Sequence, residues 1–164
     1  MEQRAFLERA IEQHGKATYN FAYRLTHNEA DASDLTQEAF IRVFKAWESF
    51  KPGTSFRSWI YRIVTNLHRD ELRRRKTRYQ EEAPPPVQPI EELIDSYLSE
   101  PVSHALAKLT PEQRQIVLLA DVDECSYQEI GRIVGCSVGT VRSRLHRARE
   151  QLRKLVNRYM KSPS

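Results

Sequence analysis

Apolar residues in the first fifty positions recur every three or four residues, which is the spacing of amphipathic helices. Two short apolar stripes, within residues 6–11 and 19–25, predict two helices. A third helix is predicted over residues 31–47. It starts near Ala30, where acidic residues suit the positive end of the helix dipole. Its apolar arc comprises Leu35, Ala39, Phe40, Val43, Phe44 and Trp47.

A Pro-Gly turn in SFKPGTS, residues 49–55, interrupts this pattern. Ser55 is placed to cap a fourth helix. The apolar face of that helix comprises Phe56, Trp59, Ile60, Ile63, Val64 and Leu67. Because Trp59 belongs to this face, we expect it in the core.

Residues 81–100, EEAPPPVQPIEELIDSYLSE, contain four of the eight prolines and six acids but no basic residue. This composition predicts an extended, flexible linker. Helical spacing resumes after it at Leu106, Leu109, Ile116, Val117, Leu119 and Ala120. Strand signals are few. The predicted fold is therefore all-α, with two small helical domains, residues 1–80 and 101–164, joined by a flexible acidic linker.

The most specific pattern in the chain is SYQEIGRIVGCSVGTVRSRLHRAREQLRKL, residues 126–155. Ser126 and Glu129 form a capping box that begins a short helix, and Gly135 supplies a sharp turn. The following helix has an apolar seam of Val138, Val141, Leu145, Ala148, Leu152 and Leu155. A short helix, a tight turn and a long helix together predict a helix-turn-helix.

The long helix, projected at 100° per residue, shows which of its side chains are free for DNA. Ser143 and Arg147 point away from the seam, flanked by Arg142 and His146. Arg144 lies nearer the seam, where it serves packing or a phosphate contact. Arg can bond guanine bidentately, and Ser is an adaptable partner. An ordinary helical hairpin with a solvated basic face is the alternative. The predicted DNA-binding set is Ser137, Thr140, Arg142, Ser143, Arg144, His146 and Arg147.

Charge changes the picture once it is resolved along the chain. The total is only +4 over 164 residues, from 26 basic and 22 acidic side chains. By position, the net charge is −2 over residues 1–50, +7 over 51–80, −9 over 81–130 and +8 over 131–164. Two basic clusters favour contact with a phosphate backbone, although each could also be a solvated helix face.

Other chemistries find little support. No apolar run approaches the roughly 18 residues of a membrane helix, and the charged N-terminal residues lack the apolar stretch of a signal peptide. The two Cys and five His show no metal-ligand spacing. We therefore expect a soluble protein with no cofactor, no metal and no catalytic site.

Residues 126–149 resemble the promoter −35-reading domain of bacterial extracytoplasmic-function sigma factors (group 4, sigma-70-type). The stretches DASDLTQEAFIRVFKAWESF (31–50) and SFRSWIYRIVTNLHRDELRRRK (55–76) resemble the first domain of the same family. The resemblance covers nearly the whole chain. It implies a cytoplasmic, nucleoid-associated initiation factor that binds core RNA polymerase and promoter DNA, helps to open the DNA, and is often held inactive by an anti-sigma factor. Gly131 stands where Ala is common in the family.

The predicted third helix carries Ile41 among charged residues on the side opposite its apolar arc. A single exposed Ile needs no explanation, but an apolar centre with a charged rim is also typical of an interface. The resemblance implies that this face docks on the clamp helices of core RNA polymerase. The residues assigned to that role are Asp34, Gln37, Glu38, Ile41, Arg42 and Lys45.

The fourth helix is predicted to carry Tyr61, Arg62, Thr65, Asn66, Arg69 and Arg73 on its outer face. Such side chains suit single-stranded DNA, and Tyr61 is the candidate for base stacking. The resemblance implies that this helix and the preceding loop bind the −10 element, and that the loop holds a flipped base. The loop residues assigned to that role are Ser49, Lys51, Thr54 and Ser55.

The acidic linker would tether two DNA-reading domains, and the resemblance places it near the template and RNA paths of the polymerase. A solubilising spacer is the alternative. The alternative function for the whole chain is a free-standing homodimeric helix-turn-helix regulator. No dimer element is evident for that function, and it leaves the first domain unexplained.

Overall fold

The computed structural model of the chain describes residues 1–51, 53–79 and 99–162. The chain divides between Pro86 and Val87 into two compact units, named here the N-terminal unit and the C-terminal unit. The described residues form helices and no strand, which confirms the all-α fold class. Residues 81–98 of the predicted linker lie outside the described residues, and the predicted domain boundaries stay predictions.

The described residues of the N-terminal unit form three α-helices, α1 (Glu2–Thr26), α2 (Glu29–Lys45) and α3 (Phe56–Tyr79), with a 3₁₀ turn at Trp47–Ser49. The prediction of two helices before residue 26 is wrong, because both apolar stripes lie on the continuous helix α1. Gly15 between the stripes costs only about 1 kcal/mol relative to Ala in a helix interior, too little to end the helix.

Helix α2 begins two residues earlier and ends two residues earlier than predicted. The preceding helix stops at His27, which adopts a left-handed conformation (φ 51°). Asn28 then caps α2, because its Oδ1 accepts a hydrogen bond of 2.9 Å from the backbone N–H of Asp31. An Asn in this position satisfies one of the unpaired N–H groups of the first turn.

The core of the N-terminal unit centres on a stacked aromatic pair. Phe21 of α1 and Tyr61 of α3 lie with ring centroids 4.2 Å apart and ring planes 8° apart, and both are essentially inaccessible to solvent. Such pairs contribute about 0.5–1.5 kcal/mol beyond the area they bury. The stack therefore fixes α1 against α3.

The predicted outer-face position of Tyr61 and Thr65 is wrong, since each is only 1% exposed. Both α1 and α2 pack against α3. Its buried arc is consequently wider than the single apolar face that the sequence periodicity indicates. Neither side chain is open to DNA in this structure.

The C-terminal unit contains α4 (Glu100–Lys108), α5 (Pro111–Val117), a π-helical turn (Leu118–Val122), α6 (Tyr127–Val134) and α7 (Val138–Lys161). Because α4 begins at Glu100, the predicted linker overlaps this helix by one residue. Helix α7 packs on α4, α5 and α6. The buried part of its seam comprises Val141, Leu145, Ala148 and Leu155.

Arg114 of α5 ties two helices of this unit together, a role without any signal in the sequence. Its guanidinium donates hydrogen bonds to the carbonyl oxygens of Leu106 (2.9 Å), Ala107 (3.0 Å) and Leu109 (3.4 Å). Carbonyls at a helix C-terminus lack partners within their own helix. Burial lowers the pKa of Arg114 from its usual value.

The turn between α6 and α7 follows the sequence prediction. Ser126 and Glu129 form the reciprocal capping box, and Gly135 adopts a left-handed conformation (φ 78°). The backbone N–H groups of Gly135 and Cys136 both donate to the carbonyl of Gly131, at 2.8 and 3.0 Å. A Cβ atom on Gly131 would lie 2.7 Å from the Cys136 carbonyl oxygen, so a side chain here would force the backbone of the turn to shift.

The substitution Gly131→Ala is expected to destabilise the C-terminal unit by about 1–3 kcal/mol, because the new methyl group would meet backbone. Circular dichroism during denaturant unfolding reports on both units. The only two tryptophans, Trp47 and Trp59, lie in the N-terminal unit. We therefore expect an earlier circular dichroism transition with an unchanged tryptophan fluorescence transition.

Gly139→Ala is the matched control, since a Cβ there meets nothing closer than 4.0 Å. It is expected to be neutral or slightly stabilising. Equal effects of the two substitutions would contradict the steric account of the turn.

Candidate polymerase and nucleic-acid interfaces

An apolar groove of about 560 Å³ runs between α1 and α2. Three large apolar side chains in this groove are exposed to solvent: Ile41 by 46%, Ile11 by 47% and Phe44 by 38%. Gly15 leaves part of one wall without a side chain. The groove is lined by Leu7, Ile11, Gly15, Thr36, Gln37, Phe40, Ile41 and Phe44.

The groove makes the surface around Ile41 larger and more apolar than the sequence indicates. The α1 stripe and the α2 arc suggest buried positions for Ile11 and Phe44, whereas the structure leaves both open. The sequence did contain a signal for this exposure. The apolar residues of α2 cover a wider arc of the helix than one packed face can bury. Concave, mostly apolar grooves of this volume are typical of binding sites.

The charged residues predicted around Ile41 are exposed, as expected. Asp34, Glu38, Arg42 and Lys45 all lie at the surface of α2. Arg42 and Glu38 form an ion pair of 3.5 Å, which contributes little to stability because both side chains are about half exposed. This rim is therefore available to a partner at small cost.

The loop before α3 presents the predicted polar residues to solvent. Ser49, Lys51, Thr54 and Ser55 are exposed. The Thr54 hydroxyl donates to the Lys51 carbonyl at 2.6 Å, and Gly53 has a positive φ of 89°. The hydroxyl of Ser55 accepts a hydrogen bond of 3.2 Å from the Ser58 N–H, which confirms its predicted capping role.

An aromatic cluster holds both ends of this loop, and sequence reasoning missed it. Phe50 stacks on Trp59 with centroids 5.2 Å apart. The ring centroid of Phe6 of α1 lies 5.9 Å from that of Phe50 and 6.0 Å from that of Phe56. Trp59 is only half-buried within the cluster. It thus packs as predicted, but at the edge of the core rather than inside it.

His14 of α1 completes the cluster by packing against Phe56, with ring centroids 4.6 Å apart. Burial, and then the nearby positive charge of Arg57, lower the pKa of His14 from its ordinary value. The imidazole is therefore biased toward its neutral form.

The outer face of α3 keeps part of the predicted DNA-binding set. Arg62, Asn66 and Arg73 are exposed and Arg69 is half-buried. These four recur at helical spacing along one side of α3. Tyr61 and Thr65 are absent from this surface because they lie in the core.

The basic run at residues 73–76 is divided between two roles. Arg75 donates to the Asp31 carboxylate at 2.9 Å and to Glu71 at 3.3 Å, and so links α3 to α2. These hydrogen bonds, with Asp31 first, raise the pKa of Arg75. Arg73 and Arg74 remain at the surface.

The predicted DNA-facing side of α7 is open to solvent. Arg142, Ser143, His146 and Arg147 are exposed. Arg144 is exposed as well, and its predicted position nearer the buried seam of Val141, Leu145 and Ala148 stays a prediction.

Hydrogen bonds order the start of α7. The Ser137 hydroxyl accepts from the Thr140 N–H at 3.2 Å and lies 2.9 Å from the Thr140 hydroxyl. Ser143 donates its hydroxyl proton to the Thr140 carbonyl at 3.2 Å, which leaves its oxygen as an acceptor. His146 lies 3.5 Å from Glu150.

The structure brings the predicted −35 residues together on one helix and the remaining −10 residues onto one helix and its loop.

In the described part of the chain, no helix has both the length and the apolar character needed to cross a membrane. Within the same residues, no cluster of three or more His, Cys, Asp or Glu is arranged to hold a metal ion.

Comparison with known families accounts for both units. Residues 10–78 match the sigma-70 region 2 family, and residues 99–152 match the sigma-70 region 4 family. A homodimeric regulator would leave the region 2 match unexplained.

Curated relatives resemble the chain over most of its length. It is 46% identical over 151 residues to the ECF RNA polymerase sigma factor SigE of Mycolicibacterium smegmatis. The aligned region covers 87% of this chain and 58% of that protein. It is also 36% identical over 151 residues to the ECF RNA polymerase sigma factor SigW of Bacillus subtilis. That aligned region covers 83% of this chain and 81% of that protein.

Two solved structures are also similar. The sigma factor RpoE in complex with the anti-sigma factor NepR from Bartonella quintana matches with a TM-score of 0.81 and 25% identity, over 92% of this chain and 96% of that chain. CnrH in complex with the cytosolic domain of CnrY matches with a TM-score of 0.70 and 26% identity, over 97% and 91%.

Sigma factors of this type bind core RNA polymerase and promoter DNA and catalyse no reaction themselves. The two region matches and the relatives establish that the chain belongs to the extracytoplasmic-function sigma factors, the promoter-recognising initiation factors of bacterial RNA polymerase.

Proposed function

We propose that this chain directs RNA polymerase to promoters through three separate surfaces. The groove side of α2 binds the polymerase, the loop before α3 and the outer face of α3 bind the −10 element, and the outer face of α7 reads the −35 element. The observation that carries the proposal is the solvent exposure of Arg142, Ser143, His146 and Arg147 on one side of a helix whose opposite side is buried.

For the −35 element, Arg142, Ser143 and Arg147 are the proposed readers of base edges in the major groove. Their positions in the first turns of the second helix suit the docking of a recognition helix. Ser137, Thr140, Arg144 and His146 flank them and are proposed to position the helix on phosphates. Phosphate contacts fix the register of a protein on DNA, and base contacts specify the sequence.

For the −10 element, the proposed contacts come from the loop residues Ser49, Lys51, Thr54 and Ser55 together with Arg62, Asn66, Arg69 and Arg73 of α3. Opening duplex DNA costs about 1–2 kcal/mol per base-pair step. Capture of an unpaired base offsets that cost. The aromatic cluster supports this role because it holds the loop at both ends. Tyr61 and Thr65 are not proposed as contacts, since both are buried.

For polymerase binding, the proposed contacts are Asp34, Gln37, Glu38, Ile41, Arg42 and Lys45. The apolar groove beside Ile41 and the exposed charged rim support this role, because interfaces combine an apolar centre with a polar periphery. An anti-sigma partner is also proposed. Its support is that both solved relatives described above are complexes with another protein, NepR or CnrY.

The acidic linker is proposed to tether the two DNA-reading units. A tether raises the effective concentration of the second contact once the first has formed. Cytoplasmic, nucleoid-associated location follows from the same proposal, since promoter DNA is found there.

The substitution Ile41→Asp is expected to weaken binding to core polymerase about tenfold, or about 1.4 kcal/mol. The carboxylate would be desolvated in an apolar contact, which is unfavourable. Binding can be measured by fluorescence anisotropy of the labelled chain titrated with core polymerase, with helicity checked by circular dichroism.

Met160→Asp is the matched control, because Met160 is also exposed (69%) but lies at the end of α7. It is expected to leave the affinity for core polymerase unchanged. The docking face is rejected if Ile41→Asp and Met160→Asp bind core polymerase as the unsubstituted chain does.

The substitution Arg147→Ala is expected to cost about 1–3 kcal/mol at one base pair of the −35 element and to relax the preference there. The measurement is holoenzyme binding to promoters that differ by single −35 base pairs. Arg153→Ala removes the same charge from an exposed position of α7 outside the proposed set, and should leave base preference intact. A uniform loss for Arg147→Ala across all sequences would instead assign it to a phosphate.

A further inference from the structure

Tyr127, the first residue of α6, lies against the guanidinium group of Arg142 on α7. The central carbon of that group is 5.8 Å from the centroid of the Tyr127 ring. A cation at this distance over an aromatic face is attracted by the ring quadrupole. The contact joins the two helices of the helix-turn-helix through a residue that the sequence pattern marks only as the start of a helix.

A second arginine of α7, Arg149, lies two turns beyond Arg142 and close to the same tyrosine. Arg149 is itself fixed by the Asp121 carboxylate through two hydrogen bonds, from Nε at 3.1 Å and from Nη2 at 2.6 Å. Two parallel bonds of this kind give a defined geometry. The pKa of Arg149 is raised, first by Asp121 and then by Tyr127.

The two arginines are therefore held by different partners. Asp121 fixes Arg149, and the ring of Tyr127 supports Arg142. Arg142 is exposed, and a long exposed side chain populates many rotamers unless a neighbour limits them. Limiting the rotamers before binding lowers the entropic cost of forming a specific contact.

We propose that Tyr127 is a positioning residue for −35 recognition, which holds Arg142 in the rotamer that reads a base edge. The inference rests on the proposed role of Arg142 as a reader. Tyr127 sets the precision of that reading without itself contributing sequence information.

The test uses the full chain bound to core polymerase and a set of promoters that differ by single −35 base pairs. Arg142→Ala identifies the base pair that Arg142 reads. Tyr127→Leu removes the aromatic face and is expected to lower discrimination at that same base pair about two- to fivefold, the size of an exposed cation–π contact. Tyr127→Phe keeps the face and should retain most of the discrimination.

The double substitution Tyr127→Leu with Arg142→Ala distinguishes positioning from independent roles. We expect Tyr127→Leu to have no further effect on discrimination once Arg142 is absent, because coupled residues are non-additive. Gln128→Leu, at an exposed neighbouring position of α6, is the control and should change nothing.

Three results would overturn the inference. An equal loss of affinity on every promoter would make Tyr127 a phosphate contact. Full additivity with Arg142→Ala would make its role independent of Arg142. If Arg142→Ala changes no base preference, then both the proposed reader and its positioning residue are wrong, whereas the first two results leave the reader in place.

Discussion

Burial of the α7 seam is the interaction on which the C-terminal unit depends. Helix α7 carries eight Lys or Arg residues and one Glu, and like charges along a helix oppose its formation. Val141, Leu145, Ala148 and Leu155 are buried against α4, α5 and α6, and tertiary packing of this kind supplies most of the stability of a helix in a protein. The same packing presents the arginines of the opposite side to solvent, so the fold and the proposed recognition surface have the same cause.

In the N-terminal unit, the central helix α3 is covered by two helices, whereas α7 is covered by three. Both α1 and α2 cover α3, with the Phe21–Tyr61 stack at the centre. These helices leave two regions open to solvent. One is the apolar groove with its charged rim. The other is the polar loop before α3, together with the exposed Arg and Asn side chains of α3. The aromatic cluster joins α1 to the loop, because Phe6 of α1 contacts the residues that frame the loop.

The helix-turn-helix could be predicted from the sequence because its determinants are local. A capping box, a left-handed Gly135 and a seam of fixed spacing all act within a few residues of one another. The position of Tyr61 could not be predicted in this way. Its burial depends on how many helices pack around α3, and the periodicity of one helix does not report its neighbours. The same limit explains the open positions of Ile11 and Phe44.

Charged residues illustrate this limit further. The basic clusters are visible in the sequence, but two of their arginines, Arg75 and Arg149, form ion pairs with Asp31 and Asp121 respectively. These ion pairs link α3 to α2, and α7 to the π-helical turn. A count of basic residues therefore overstates the number available to DNA, and only the tertiary contacts separate the two groups.

The most direct test of the account is run-off transcription with purified core RNA polymerase, the full chain and a duplex promoter library randomised over both the −35 and the −10 element. The account predicts that the chain supports transcription from a subset of promoters that share two separated sequence motifs, one for each unit. Transcripts without sequence preference, or no transcripts together with no copurification with core polymerase, would contradict it.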